Sequence, residues 1–177
     1  MAKTNIEKIQ SGLSKYLFLR KQLFEVDVST DENFQKAFNG FFRMGHRTKA
    51  YYQDYYQYLQ HHKDTGISFG EALTFLYKKY GRLEMSFASK MVAIVDPKYP
   101  IWDSVVTKGH FKIVAPYTYA KDRLQKGIEK YEQYCNNYCA YMQTTEAKAR
   151  IAQFNTIFST AEITDAKKLD FMLWQDR

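Results

Sequence analysis

Apolar residues recur along this chain at intervals of three and four, the repeat of helices with one buried face. Ile6, Ile9, Leu13, Leu17 and Phe24 mark such a face near the start, behind a Thr4–Glu7 capping box. A second capping box, Ser29 with Glu32, opens a short helix faced by Phe34, Phe38, Phe41 and Phe42 and ending near Gly45. A tyrosine-rich helix follows, with Tyr51, Tyr52, Tyr55, Tyr56 and Tyr58, as far as Gly66. Ser68 and Glu71 form a third capping box, Phe69, Leu73, Leu76, Tyr77 and Tyr80 the next face, and Gly81 a left-handed stop. After a short connection a helix is expected over 86–95, broken by Pro97 and Pro100. Asp103 then stands where a helix N-cap belongs, with Gly109 as the stop.

The run FKIVAPY resembles a strand but is too short and isolated to make a sheet. A long helix is expected over 118–143, lined by Leu124, Ile128, Tyr131, Cys135, Tyr138 and Met142. Another carries Ile151, Phe154, Ile157 and Phe158. Thr164, with Lys167 and Lys168, opens a last helix that docks through Leu169, Met172 and Leu173, with Trp174 beside them. The expected fold is all-α, a single domain over 1–177 of about eight helices, with a central helix-hairpin-helix-like unit at about 69–108.

Composition adds partners to this picture. The 177 residues carry a net charge of +7, which favours polyanionic partners, DNA first. The aromatic share of 17% is rich in Tyr and Phe. The tyrosines of the third helix, next to Arg47 and Lys49, either stack on bases or pack their rings at helix edges. Cys135 and Cys139, four apart, read as two reduced thiols on one helix face rather than a redox pair. The four histidines are not spaced as a metal set, so no metal and no cofactor is expected. Nothing reads as a signal peptide or a membrane span, which implies a cytoplasmic protein without a membrane partner.

The chemistry-bearing stretch is RLEMSFASKMVAIVDPKYPIWDSVV, from Arg82. Lys90 is expected in about the first turn of its helix, and Asp103 follows 13 positions later across a proline-braced loop. A lysine amine and a carboxylate facing one cleft can open a sugar through a Schiff base. The other reading of Lys90 is a solvated helix lysine, and Asp103 is a good N-cap regardless of catalysis. Trp102 is either a wedge for a base or a core anchor, and Arg82 either meets phosphate or pairs with Glu84.

This stretch resembles the helix-hairpin-helix DNA glycosylases, most closely small bacterial proteins with an 8-oxoguanine DNA glycosylase-like fold. The resemblance spans about Gly81 to Lys108, and ITDAKKLDFMLWQDR resembles their C-terminal helix. It implies Lys90 as the nucleophile and Asp103 as the catalytic aspartate, at the end of Pro100-Ile101-Trp102-Asp103. Ser86, Phe87 and Ala88 fall on the Gly-Val-Gly of the family's hairpin, so both hairpin glycines are replaced here. The interval from lysine to aspartate is shorter than the family's, and no histidine follows the aspartate. On this resemblance Arg82, Ser86, Ala88, Lys78, Lys79 and Lys108 contact DNA, and Trp102 and Phe87 line a base pocket. The expected function is removal of a modified or damaged base from DNA. The alternatives are a nucleic-acid-binding module without catalysis, and a protein-interaction module using its tyrosine-rich helices.

Overall fold

The computed structural model describes residues 3–159 and 161–175, and it is all-helical, with no strand among them. The chain falls into two compact units, residues 1–67 and 68–177. Each unit has its own core.

In the first unit, α1 (Lys3–Glu25), α2 (Glu32–Phe41) and α3 (Lys49–His62) bury aromatic faces. The Thr4 cap falls on a side chain outside the described residues, within a helix that already includes Lys3. The buried stripe of α1 runs through Ile9, Leu13, Tyr16, Leu19 and Leu23, while Leu17 and Phe24 are exposed. The face is therefore rotated from the expected one, because the amphipathic Tyr16 takes the inward place. Helix α2 is capped by Asp31, not Ser29: its side chain accepts from Phe34 N at 2.6 Å. Ser29 is engaged one turn earlier, donating its N–H and its hydroxyl to Asp27 Oδ1.

Thr48 caps α3. Tyr51, Tyr55 and Tyr56 are buried, and Tyr55 and Tyr56 pack their rings against Phe38. The Tyr56 hydroxyl donates to Asn39 Oδ1 at 2.8 Å. Tyr51, Tyr55 and Tyr56 are thus core rings, while Tyr52 and Tyr58 are half-buried. The buried Lys63 closes the unit, its Nζ donating to Leu23 O (2.9 Å) and Val26 O (2.7 Å). It satisfies carbonyls that the end of α1 leaves without helical partners.

In the second unit, α4 (Phe69–Tyr80) begins with the full Ser68–Glu71 capping box and ends at Gly81, whose φ of 66° is left-handed. The turn Gly81–Glu84 leads into α5 (Met85–Val95), which is buried on nearly every face. A loop and a π-helix (Val105–His110) follow, then α6 (Arg123–Met142), α7 (Thr145–Ile157) and α8 (Asp165–Leu173). FKIVAPY is irregular, and α6 starts at Arg123 because Asp122, at φ 55°, turns the backbone out of the helical region. Gly127 lets α6 come close to α4 and the turn: a Cβ there would lie 3.0 Å from Leu83 and 3.2 Å from Leu73. Phe69 and Tyr131 stack at 3.7 Å across the same contact. Leu169, Met172 and Leu173 of α8 are buried as the periodicity predicts, and Phe171 stacks on Phe154 of α7. No helix of the described residues is long and apolar enough to cross a membrane.

Burial pushes the Tyr55, Tyr131, Tyr134 and Tyr138 phenols well above their ordinary value of 10.0. It also pushes the Cys135 thiol up from 9.0 to about 12. In the unfolded chain these groups release protons near their ordinary values, while the folded chain keeps them. The folded state then holds more protons, so stability falls as pH rises through that window. Urea melts at about pH 8 and about pH 11 test this: the midpoint is expected to drop at the higher pH, and an unchanged midpoint contradicts the burial of these groups.

Candidate active site

The loop from Pro97 to Asp103 dips into the core of the second unit at Pro100, Ile101 and Trp102, and side chains meet its backbone at several steps. Thr164 Oγ1, the cap of α8, donates to Pro97 O at 2.8 Å. Tyr131 OH donates to Pro100 O at 2.8 Å and Tyr134 OH to Ile101 O at 3.3 Å, both from α6. Trp102 N donates to Ser89 Oγ of α5 at 2.9 Å, and that hydroxyl donates onward to Ser86 O at 3.0 Å. These bonds satisfy peptide groups that two prolines remove from any helix. They also fix where Asp103 emerges.

Asp103 does act as a helix-start acid, with a different geometry from the expected one. Its Oδ1 accepts from Val105 N at 2.8 Å, and its main-chain oxygen accepts from Thr107 N and Thr107 Oγ1. The turns that follow are π-helical, with Phe111 N bonded to Val106 O five residues back at 3.3 Å. Gly109 lies inside this π-helix instead of ending it. The second carboxylate oxygen, Oδ2, accepts from Trp174 Nε1 at 3.2 Å. Both oxygens are therefore held, and the carboxylate has one orientation.

Lys90 is the sixth residue of α5, in its second turn and not its first. It is 8% exposed, and its Nζ stands 5.1 Å from the centre of the Phe87 ring. Its neighbour Ser89 bonds the neighbour of Asp103, so the two candidate residues flank one hydrogen bond. Ser86, Phe87 and Ala88 lie within the first two turns of α5, whereas the turn itself is Gly81–Glu84. Ala88 is fully buried, so the phosphate contact read for it has no surface to act through. Trp102 is 6% exposed and meets Tyr134 edge-on at 5.8 Å, which makes it a core ring. Lys78, Lys79, Arg82 and Lys108 are all exposed, the first three on the last turn of α4 and the turn after it.

The sequence pattern missed several partners. Nothing in the pattern singles out Tyr134 or Ser89, and Trp174 stands in it only beside the docking face of the last helix. Lys167 and Asp170 form an ion pair of 2.6 Å whose side chains are 7% and 14% exposed, with Lys167 Nζ 5.0 Å from the Phe171 ring. The Tyr134 phenol is raised by burial first and then by the charges of Asp170, Cys135 and Asp103, which brings both acids within its electrostatic reach. An i, i+3 pair of this kind reads as a solvated helix face until the fold buries it.

A cleft of about 390 Å³ opens elsewhere in this unit. Pro116 and Tyr117 form one side, and Lys126, Glu129 and Lys130 of α6 the other. None of the candidate residues lines it. No protein-family model, no curated protein and no solved structure matches the chain.

Ser89→Ala removes the acceptor of a buried N–H, which costs about 1–3 kcal/mol. Urea denaturation is expected to show a loss in that range. A change below about 0.5 kcal/mol, the ordinary range for surface substitutions, would mean that the loop is held without this bond.

Proposed function

We propose that the second unit is a glycosylase-type site acting on DNA, with Lys90 as nucleophile and Asp103 as the acid beside it. The observation that carries this reading is the bond from Trp102 N to Ser89 Oγ, which ties the neighbours of amine and carboxylate together at 2.9 Å. A fixed backbone beneath both candidate side chains lowers the ordering cost of reaction. The lysine lies against an aromatic ring and almost out of water, a setting that suits an amine nucleophile. The π-helix directly after Asp103 adds support, since such backbone recurs at functional sites.

The reaction would run on a nucleotide turned out of the duplex, because Lys90 offers little surface to a stacked one. The Lys90 Nζ lone pair attacks C1′ as the glycosidic bond breaks. The bonding electrons leave with the base, which takes up a proton. The Asp103 carboxylate stabilises the positive charge on the sugar as it develops. Nζ loses a proton, and its lone pair then forms the C1′=N bond as the C1′–O4′ bond breaks and O4′ takes up a proton, which gives the protonated Schiff base. The exposed Lys78, Lys79, Arg82 and Lys108 supply charge for the flanking phosphates.

A non-catalytic DNA-binding module on the same fold is the second reading. It is favoured by the structural work that Trp102 and Asp103 already do in the core. For the interaction-module reading, α3 offers only Tyr52 and Tyr58 at the surface, since Tyr51, Tyr55 and Tyr56 are buried.

Borohydride trapping separates the first two. Duplexes carrying an abasic site, 8-oxoguanine or uracil would be incubated with the protein and with its Lys90→Met and Asp103→Asn variants, each checked for folding by circular dichroism. The expected result is a covalent adduct that Lys90→Met abolishes with little change in binding, and that Asp103→Asn slows by about 100-fold. An adduct that survives Lys90→Met moves the nucleophile elsewhere. Salt-sensitive binding without any adduct favours the non-catalytic module.

A further inference from the structure

We infer that the cleft between the 116–120 turn and α6 is a subsite for single-stranded nucleic acid, where a base stacks on Tyr117 and phosphates meet Lys126 and Lys130. The inference shares a nucleic-acid partner with the proposed function but none of its chemistry. Tyr117 is 72% exposed and Tyr119 84%, and their rings meet edge-on at 5.6 Å. Two adjacent aromatic rings left in water on one turn are costly unless something covers them. The turn is closed by Ala120 N donating to Tyr117 O at 3.0 Å, so the ring of Tyr117 projects from an ordered backbone.

The opposite wall supplies the charge. Lys126, Glu129, Lys130 and Gln133 stand at i, i+3, i+4 and i+7, one stripe on the outer side of α6. Lys130 Nζ donates to Gln133 Oε1 at 3.0 Å, and Gln125 Nε2 donates to Glu129 Oε1 at 3.1 Å, which orders the wall. Two lysines against one glutamate leave the cleft positive. Glu129 repels phosphate and so directs it toward the lysines on either side. The volume of about 390 Å³ accommodates a nucleotide. An open aromatic wall facing a lysine wall is the arrangement that binds single strands without reading a sequence. A paired base cannot offer its face to Tyr117.

Fluorescence anisotropy with a labelled 12-nucleotide oligothymidine, and with the same strand in a duplex, tests this on the full chain. Tyr117→Ala is expected to weaken single-strand binding about tenfold and leave duplex binding unchanged, while Tyr117→Phe keeps both. Lys126→Ala with Lys130→Ala is expected to lower the slope of log K against log salt by about 1.4. Absence of single-strand binding by the unaltered protein would overturn the inference, as would a Tyr117→Ala variant that binds like it. Equal losses for Tyr117→Ala and Tyr117→Phe would also overturn it, since stacking survives in the phenylalanine. The Lys90 adduct is a separate readout: its absence with Tyr117-dependent binding removes the glycosylase reading and leaves the subsite standing.

Discussion

A buried loop without helical hydrogen bonds is the constraint on which the second unit depends. Pro97 and Pro100 deny the chain a helix between α5 and Asp103, yet Pro100, Ile101 and Trp102 lie inside the core. An unpaired peptide group there costs about 1–3 kcal/mol. Side chains from three helices supply the partners: Thr164 at Pro97, Tyr131 at Pro100, Tyr134 at Ile101 and Ser89 at Trp102. The tyrosines of α6 are therefore bolts as well as core rings. Tyr138 continues the series by donating to Ala166 O at 2.9 Å, which fastens α8 to α6.

The chemistry of the candidate site follows from that fastening. Asp103 leaves the clamped loop with one oxygen on Val105 N and the other on Trp174 Nε1. Lys90 sits on the helix that Ser89 joins to the loop. The Lys167–Asp170 pair lies close enough for Asp170 to act electrostatically on Tyr134, beside Asp103. Replacing one residue of such a set disturbs stability and orientation together. Trapping must therefore be read beside a folding control.

Much of this architecture was legible in the sequence where a local signal carried it. The Ser68–Glu71 box and the left-handed Gly81 bound α4 as expected, and Thr164 opens α8. Capping signals failed where two acids and two hydroxyls compete in one short stretch: Asp31 took α2, and Ser29 turned back to Asp27. Periodicity misplaced part of the inner stripe of α1, where Leu17 and Phe24 directly follow Tyr16 and Leu23 and the buried member of each pair is the earlier one. Tyr134 was missed because Cys135, the next residue, fits the same spacing. A serine such as Ser89 in an apolar helix gives no hint of its partner 13 residues away. The π-helix after Asp103 depends on the bonds that Asp103 and Thr107 make, not on propensity. The hairpin positions fell inside α5 because the turn closes earlier, at Gly81–Glu84.

Native-state hydrogen exchange at the Trp102 amide tests the clamped loop most directly. With its N–H on Ser89 Oγ inside the core, it is expected to exchange only on global unfolding, at a rate set by the stability of the whole unit. Exchange as fast as that of the exposed Val114 and Tyr117 amides would contradict the clamp, and with it the fixed point at which Asp103 leaves the loop.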